Sequence, residues 1–221
     1  MQTYPAILFD LDGTLINSLE DIADAMNHTL STFDLPTHPY ESYKHFIGKG
    51  LKNLVKSCVP PTVRDNPETI DRCLQTMVAH YRQNLTNKTC LYPGIAELLD
   101  TLTEKGIKMA ILSNKADALT QQICAKLLHQ WSFEVIMGAT DDFPRKPNPE
   151  AALFIAKKMQ IAPGNILYIG DSNVDMQTAR AAGMFPVGVT WGFRTREELE
   201  EAGARVVIEG VMELMGSGYF M

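Results

Sequence analysis

Cysteine is scarce in this chain: 4 of 221 residues, Cys58, Cys73, Cys90 and Cys124, with no C-x-x-C pair among them. Thiols so scattered suggest neither a disulfide framework nor a zinc site, and free cysteines, buried or incidental, are expected. Basic charge is not in surplus either: 20 Lys and Arg stand against 26 Asp and Glu, a formal net charge of −6. With no basic excess to displace phosphate counterions, the balance argues against nucleic acid and against an anionic membrane surface as partners. No uncharged apolar run approaches the roughly 20 residues of a membrane span. The opening MQTYPAILFDLDGTL has no basic region and places two aspartates in its apolar stretch, unlike a secretory leader. A cytoplasmic protein is expected. The 45% apolar and 21% charged fractions exclude a disordered or low-complexity chain. A chain this long holds one to two domains and can build a core without staples.

Along the chain, short apolar runs at 6–9, 109–112, 134–137, 166–169, 187–189 and 206–208 read as strands. Amphipathic stretches at 95–105, 118–129, 150–159, 176–182 and 197–202 lie between the later ones. Strands alternating with helices predict an α/β, Rossmann-like parallel sheet covered on both faces. The interval from Thr14 to Pro93 breaks this rhythm. Leu19, Ile22, Ala23, Met26, Leu30 and Phe33 share one helical face, Ser18 with Asp21 resembles a capping box, and Pro36 and Pro39 end the helix. Leu51, Leu54, Val55 and Cys58 predict a short helix closed by Pro60-Pro61. Ile70, Cys73, Leu74, Met77, Val78, Tyr81 and Leu85 trace another stripe. The reading is an α/β core at 1–15 and 93–221 with an inserted all-helical cap domain at 16–92.

Four short constellations carry the chemistry. The first is Asp10-Leu11-Asp12-Gly13-Thr14 at the end of the first strand, where ligands of open parallel sheets bind. Residues two apart on an extended segment project to the same side, so one carboxylate can attack while the other handles protons. The plain alternative is an Asp-Gly turn. The second is Gly170-Asp171-Ser172-Asn173-Val174-Asp175, in which Ser172 and Asp175 would serve equally as a capping pair. Together Asp10, Asp12, Asp171 and Asp175 form a like-charged group that calls for a hard divalent cation, and Mg²⁺ suits a small carboxylate set that also binds phosphate. The third, Ser113-Asn114-Lys115, fits a phosphate cradle or a helix cap. In the fourth, Arg145-Lys146-Pro147-Asn148-Pro149, Lys146 is either a solvated loop residue or the point charge that neutralises a phosphoryl group.

In this order, Asp10-x-Asp12-Gly13-Thr14, Ser113-Asn114, Lys146-Pro147 and Gly170-Asp171-x-x-x-Asp175 resemble the haloacid dehalogenase-like hydrolase superfamily along essentially the whole chain. The resemblance implies that Asp10 is the nucleophile, forming an aspartyl-phosphate, and that Asp12 protonates the leaving group and then activates water. It implies that Ser113, with Asn114 beside it, and Lys146 hold the phosphoryl oxygens. It further implies Mg²⁺ held by Asp10, the main-chain carbonyl of Asp12, and Asp171, with Asp175 completing the metal set by orienting it. A dehalogenase has no alcohol to protonate and would differ at position 12, so phosphoryl chemistry is expected.

The helical insert resembles the mobile cap of that family, whose loops supply specificity. In Phe46-Ile47-Gly48-Lys49-Gly50-Leu51, Lys49 is either a plain loop residue or a contact to an anionic substrate tail. This loop, Asp141 to Pro149, and the tail Gly188-Val189-Thr190-Trp191-Gly192-Phe193 resemble the phosphoglycolate phosphatase branch. The expected partner is a small phosphate ester, with 2-phosphoglycolate first and the protein a monomer or homodimer. A pyrophosphatase, a sugar-phosphate phosphatase or a β-phosphoglucomutase would share the same core motifs. A regulator that binds phosphate without turnover is the alternative of another class, though it would not need Asp12.

Overall fold

The computed structural model describes residues 3–216 and 218–220. The chain divides into two compact units, one formed by 1–17 with 91–221, the other by 18–90.

The first unit is built on six parallel strands: β1 (Ala6–Phe9), β4 (Lys108–Ala116), β5 (Val135–Ala139), β6 (Ile166–Gly170), β7 (Phe185–Val189) and β8 (Val206–Ile208). Two further strands of two residues, β2 (Ile16–Asn17) and β3 (Cys90–Leu91), pair in a separate small sheet. The main order is β5-β4-β1-β6-β7-β8. Every residue of β1 and of β6 is buried. That explains the unbroken apolar runs, because a strand covered on both faces has no solvent side to alternate with.

Ala6 and Leu8 of β1, Ala110 and Leu112 of β4, and Ile166 and Tyr168 of β6 pack against Ala151, Ala152, Ile155 and Met159 of α8 (Glu150–Met159). Alanines along that helix let it settle close to the sheet, and each fully buried Leu or Ile contributes about 1.5–3 kcal/mol. α6 (Ile95–Glu104) buries Ile95, Leu98, Leu99 and Leu102. α7 (Asp117–Leu127) follows β4, and α9 (Asn173–Ala181), α10 (Arg196–Glu201) and α11 (Val211–Gly216) complete the unit.

The register places the chemistry. Phe9 lies opposite Ile111 of β4 on one side and Ile169 of β6 on the other. Asp10, the next residue, is therefore flanked by the ends of both neighbours, and its N–H still donates to the Ile169 carbonyl at 2.9 Å. From β1 the chain runs first to β4 and β5, then returns to β6 on the other side. β1 and β6 thus mark the point where the strand order reverses, the expected crevice of a doubly wound sheet.

The second unit is helical: α1 (Leu19–Thr32), α2 (Tyr40–Phe46), α3 (Leu51–Cys58), α4 (Pro61–Arg64) and α5 (Pro67–Gln83). α1 buries Leu19, Ile22, Ala23, Met26 and Leu30, and α5 buries Ile70, Cys73, Met77 and Tyr81. Asn66 caps α5 by accepting from the Thr69 N–H at 3.1 Å, with Pro67 at the first helical position.

Three local expectations change. Ser18 and Asp21 do not form a capping box, because Ser18 makes no side-chain cap bond. Asp21 is spent elsewhere, accepting from the N–H groups of Lys88 and Thr89 and from the Thr89 hydroxyl at 2.6 Å. α1 also ends before either proline, at Thr32, and Asp34 turns the chain with φ 53°. Two short helices, α2 and α4, stand where no periodic stripe announces them.

Candidate active site

The loop after β1 winds around one carbonyl. Leu11 O accepts from the N–H groups of Thr14, Leu15 and Ile16, while the Gly13 N–H donates to Ile16 O at 2.9 Å. Gly13 has φ 87°, and a Cβ there would collide with the Asp171 carboxylate. Gly192 is equally constrained, since its Cβ would strike Asp171 and the Gly13 carbonyl. Both glycines let the backbone close on the same carboxylate. Asp171 follows β6, and its Oδ2 accepts from the Phe193 N–H at 2.8 Å.

Lys146 is the cationic centre of the site. Its Nζ lies 2.8 Å from Asp10 Oδ1, 2.7 Å from Asp175 Oδ1 and 3.1 Å from the Leu112 carbonyl. Three acceptors match the three N–H bonds of an ammonium. Asn114 holds the lysine's main chain from both sides: its Oδ1 accepts from the Lys146 N–H at 2.9 Å and its Nδ2 donates to the Lys146 carbonyl at 3.1 Å. Asn114 thereby acts as a clamp on the Lys146 loop, a task the sequence did not suggest. Asp175 also opens α9. Its Oδ2 accepts from the Ser172 N–H and hydroxyl, completing a capping box, while Oδ1 faces Lys146. The cap and the charge contact are the same side chain.

Burial pushes the Asp10 carboxyl well above its ordinary range, as does nearby Asp175, with Lys146 pulling the other way. Burial, followed by Asp175, pushes Asp171 up to about 7 against the opposing pull of the Phe193 N–H and Arg194. Burial alone would lower Lys146, but Asp10 and Asp175 outweigh it and hold the ammonium well above its usual value.

Asp10, Asp171 and Asp175 each offer a carboxylate oxygen within 4.8 Å of the others. Both oxygens of Asp175 are engaged. Asp10 Oδ2 and Asp171 Oδ1, by contrast, make no hydrogen bond among the described residues. Buried carboxylates this close, two of them with an oxygen that accepts no hydrogen bond among the described residues, are a fitting set for a hard cation with oxygen ligands, and they fit Mg²⁺.

Asp12 stands apart from this group. Its two oxygens lie 2.8 and 3.0 Å from Lys115 Nζ, and the side chains are 12% and 3% exposed. Lys115, named with Ser113 and Asn114 in the sequence but given no role of its own there, is the functional residue that sequence reasoning missed. It follows Ser113 by two positions in β4, where the pairing with β5 shifts register between Leu112 and Ala116. The Ser113 hydroxyl is buried at the end of β4, accepting from the Lys115 N–H at 3.2 Å. Lys49 belongs to the helical unit, exposed between Gly48 (φ 114°) and Gly50 (φ 85°), with its carbonyl accepting from Asn53.

A six-stranded parallel sheet with paired aspartates after its first strand, and a lysine and further aspartates at the neighbouring strand ends, defines a hydrolase class. The chain belongs to the haloacid dehalogenase-like hydrolases, whose family model matches residues 7–189. It is 31% identical over 217 residues to a phosphoglycolate phosphatase of Haemophilus influenzae, covering 96% of this chain and 97% of that one. Against a phosphoglycolate phosphatase of Agrobacterium fabrum the identity is 32% over 207 residues, covering 93% and 88%. The solved structure of a proposed phosphoglycolate phosphatase from Lactobacillus delbrueckii subsp. bulgaricus superposes with TM-score 0.91 at 27% identity, covering 99% of each chain. The protein is thus an enzyme of phosphoglycolate phosphatase-like type. No helix among the described residues is long and apolar enough to cross a membrane.

Proposed function

We propose that the protein is a Mg²⁺-dependent phosphatase that hydrolyses small phosphomonoesters in the cytoplasm through an aspartyl-phosphate, with 2-phosphoglycolate as its foremost substrate. The observation that carries this reading is the division of labour between the first two aspartates. Asp10 stands with Lys146, Asp171 and Asp175, and Asp12 stands outside that group with its own lysine. An attacking carboxylate needs charge compensation, whereas an acid–base carboxylate needs to reach the leaving oxygen.

In the proposed cycle one carboxylate oxygen of Asp10 attacks phosphorus, the ester P–O bond breaks, and Asp12 gives its proton to the departing alkoxide. Asp12 then takes a proton from water as that water attacks phosphorus, and Asp10 leaves as a carboxylate. Lys146 and Ser113 hold the phosphoryl oxygens, and Asn114 keeps the Lys146 loop in place. Asp10, the Asp12 carbonyl and Asp171 would hold Mg²⁺, with Asp175 orienting the set. When bound, the ion supplies positive charge that lets a carboxylate approach a phosphate dianion. The names of the relatives favour 2-phosphoglycolate among the possible esters.

The test is phosphate release, with Mg²⁺ and with chelator, from 2-phosphoglycolate, pyrophosphate, hexose phosphates and nucleoside monophosphates. Asp10→Asn, which keeps the side chain's size, is expected to unfold like the wild type and to turn over nothing. Wild-type activity in that variant would remove Asp10 as nucleophile, and release unaffected by chelator would remove the metal.

A further inference from the structure

Asp10 and Asp12 are each held by a lysine, and the two lysines are different. Lys146 Nζ lies 2.8 Å from Asp10, whereas Lys115 Nζ lies 2.8 and 3.0 Å from the two oxygens of Asp12. The Lys115–Asp12 pair is shut away from water, its side chains 3% and 12% exposed, so solvent screens it little. Lys115 also stands on fixed backbone. Its N–H donates to the Ser113 hydroxyl at 3.2 Å, its carbonyl accepts from the Thr120 hydroxyl at 3.3 Å, and the next residue, Ala116, pairs with Ala139 of β5. Gly138 of β5 has no room for a Cβ, which would collide with the Lys115 carbonyl and the Asp117 backbone. The ammonium thus projects from a firmly held strand end onto a carboxylate carried by the loop after β1.

We propose that Lys115 is a positioning residue: in the phosphatase reading, on which this inference rests, it acts on the reaction only through Asp12, by fixing where that carboxyl gives and takes its proton. An acid–base carboxyl works only where its proton lines up with the ester oxygen, and misplacement by about 1 Å can cost about 100-fold in rate. Contacts to both oxygens set the position of the Asp12 carboxyl and the rotation of its plane. They set its proton as well. An ammonium has no lone pair, so a proton on Asp12 cannot lie between the two groups and sits on a lone pair turned away from Lys115. An Asp12 oxygen can accept from Lys115 while the carboxyl meets the ester oxygen, so the hold is not released during turnover.

The experiment reads kcat/KM for 2-phosphoglycolate and for p-nitrophenyl phosphate in the wild type, Lys115→Met, Asp12→Ala and the double variant, with Asp10→Asn as the blank. An alkoxide needs a proton as it leaves, and p-nitrophenolate does not. Lys115→Met is expected to lower kcat/KM for 2-phosphoglycolate roughly 10–100-fold and to change that for p-nitrophenyl phosphate far less. In the Asp12→Ala background, read at raised enzyme concentration, the same substitution should cost nothing further, because residues that act as one unit are not additive. A side chain that merely supports the fold would lower both substrates alike and would cost as much with the Asp12 carboxyl absent. Either result overturns the proposal, as does an unchanged kcat/KM for 2-phosphoglycolate. Lys115→Gln, which keeps a neutral donor, replaces the Met variant if that protein does not fold, with the same outcomes deciding. Wild-type turnover above the Asp10→Asn blank is read separately, so a failure of Lys115 as positioning residue is distinguishable from a failure of the phosphatase reading. Folded wild type that hydrolyses neither ester would overturn both.

Discussion

Replacing Lys146 by methionine isolates the electrostatic term of the site, because methionine is unbranched and close in size, so little cavity follows. The substitution removes contacts of 2.8, 2.7 and 3.1 Å from a side chain that is 2% exposed. It leaves Asp10, Asp171 and Asp175 within 4.8 Å of one another with no cation among them. Breaking a buried pair by deleting one partner costs about 3–5 kcal/mol. At about 2–4 °C per kcal/mol for a chain of this size, the metal-free protein should melt roughly 6–20 °C lower at pH 8.

The sign with pH follows from the raised carboxyls. A group whose folded pKa lies above its unfolded value contributes stability below the unfolded pKa, and that contribution is lost as pH rises through the folded one. Asp10 is raised and Asp171 reaches about 7 from 3.8, so the cost should be largest above pH 7 and shrink steadily towards pH 4 as protons replace the ammonium. Mg²⁺ should return part of the loss by binding the folded form alone. Circular dichroism melts at pH 5, 6 and 8, with chelator and with Mg²⁺, make the test. A Lys146→Met melt equal to wild type at pH 8 in chelator would refute the reasoning, and so would a loss independent of pH. Activity should fall about 100–1,000-fold, the usual cost of one preorganised donor.

Asp171→Asn should abolish the rise in melting temperature that Mg²⁺ produces. It should also flatten the loss of stability that the metal-free wild type suffers between about pH 4 and 7, since the raised Asp171 must ionise there. A Mg²⁺-induced rise as large as in the wild type would count against Asp171 as a ligand. Asp12→Ala should lower kcat/KM about 100–10,000-fold for an alkyl phosphate and much less for p-nitrophenyl phosphate, whose leaving group needs no proton. Equal losses on the two substrates would remove its acid role.

The strands were legible because β1 and β6 are buried on both faces and so read as uninterrupted apolar runs. The faces of α1 and α5 were legible because each helix is long enough to show its period. α2 and α4, of seven and four residues, are too short to display one. Ser172 and Asp175 had two readings, cap or charge, and the structure contains both at once: one oxygen caps α9 and the other meets Lys146. Asp21 shows the opposite case. A plausible local cap lost to the Lys88 and Thr89 N–H groups, which lie 67 and 68 residues away.

What the sequence determined by itself is whatever depends on local pattern and on residue type: the alternating elements, acidic residues at two strand ends, and the need for positive charge beside them. What only the tertiary structure decided is which partner each of those groups takes. Lys115 meets Asp12 across 103 residues, and Asn114 clamps the Lys146 backbone across 32. Such pairings follow from strand order and register, which bring the ends of β1, β4 and β6 side by side. No period or spacing along the chain encodes a contact that exists only once the sheet has assembled.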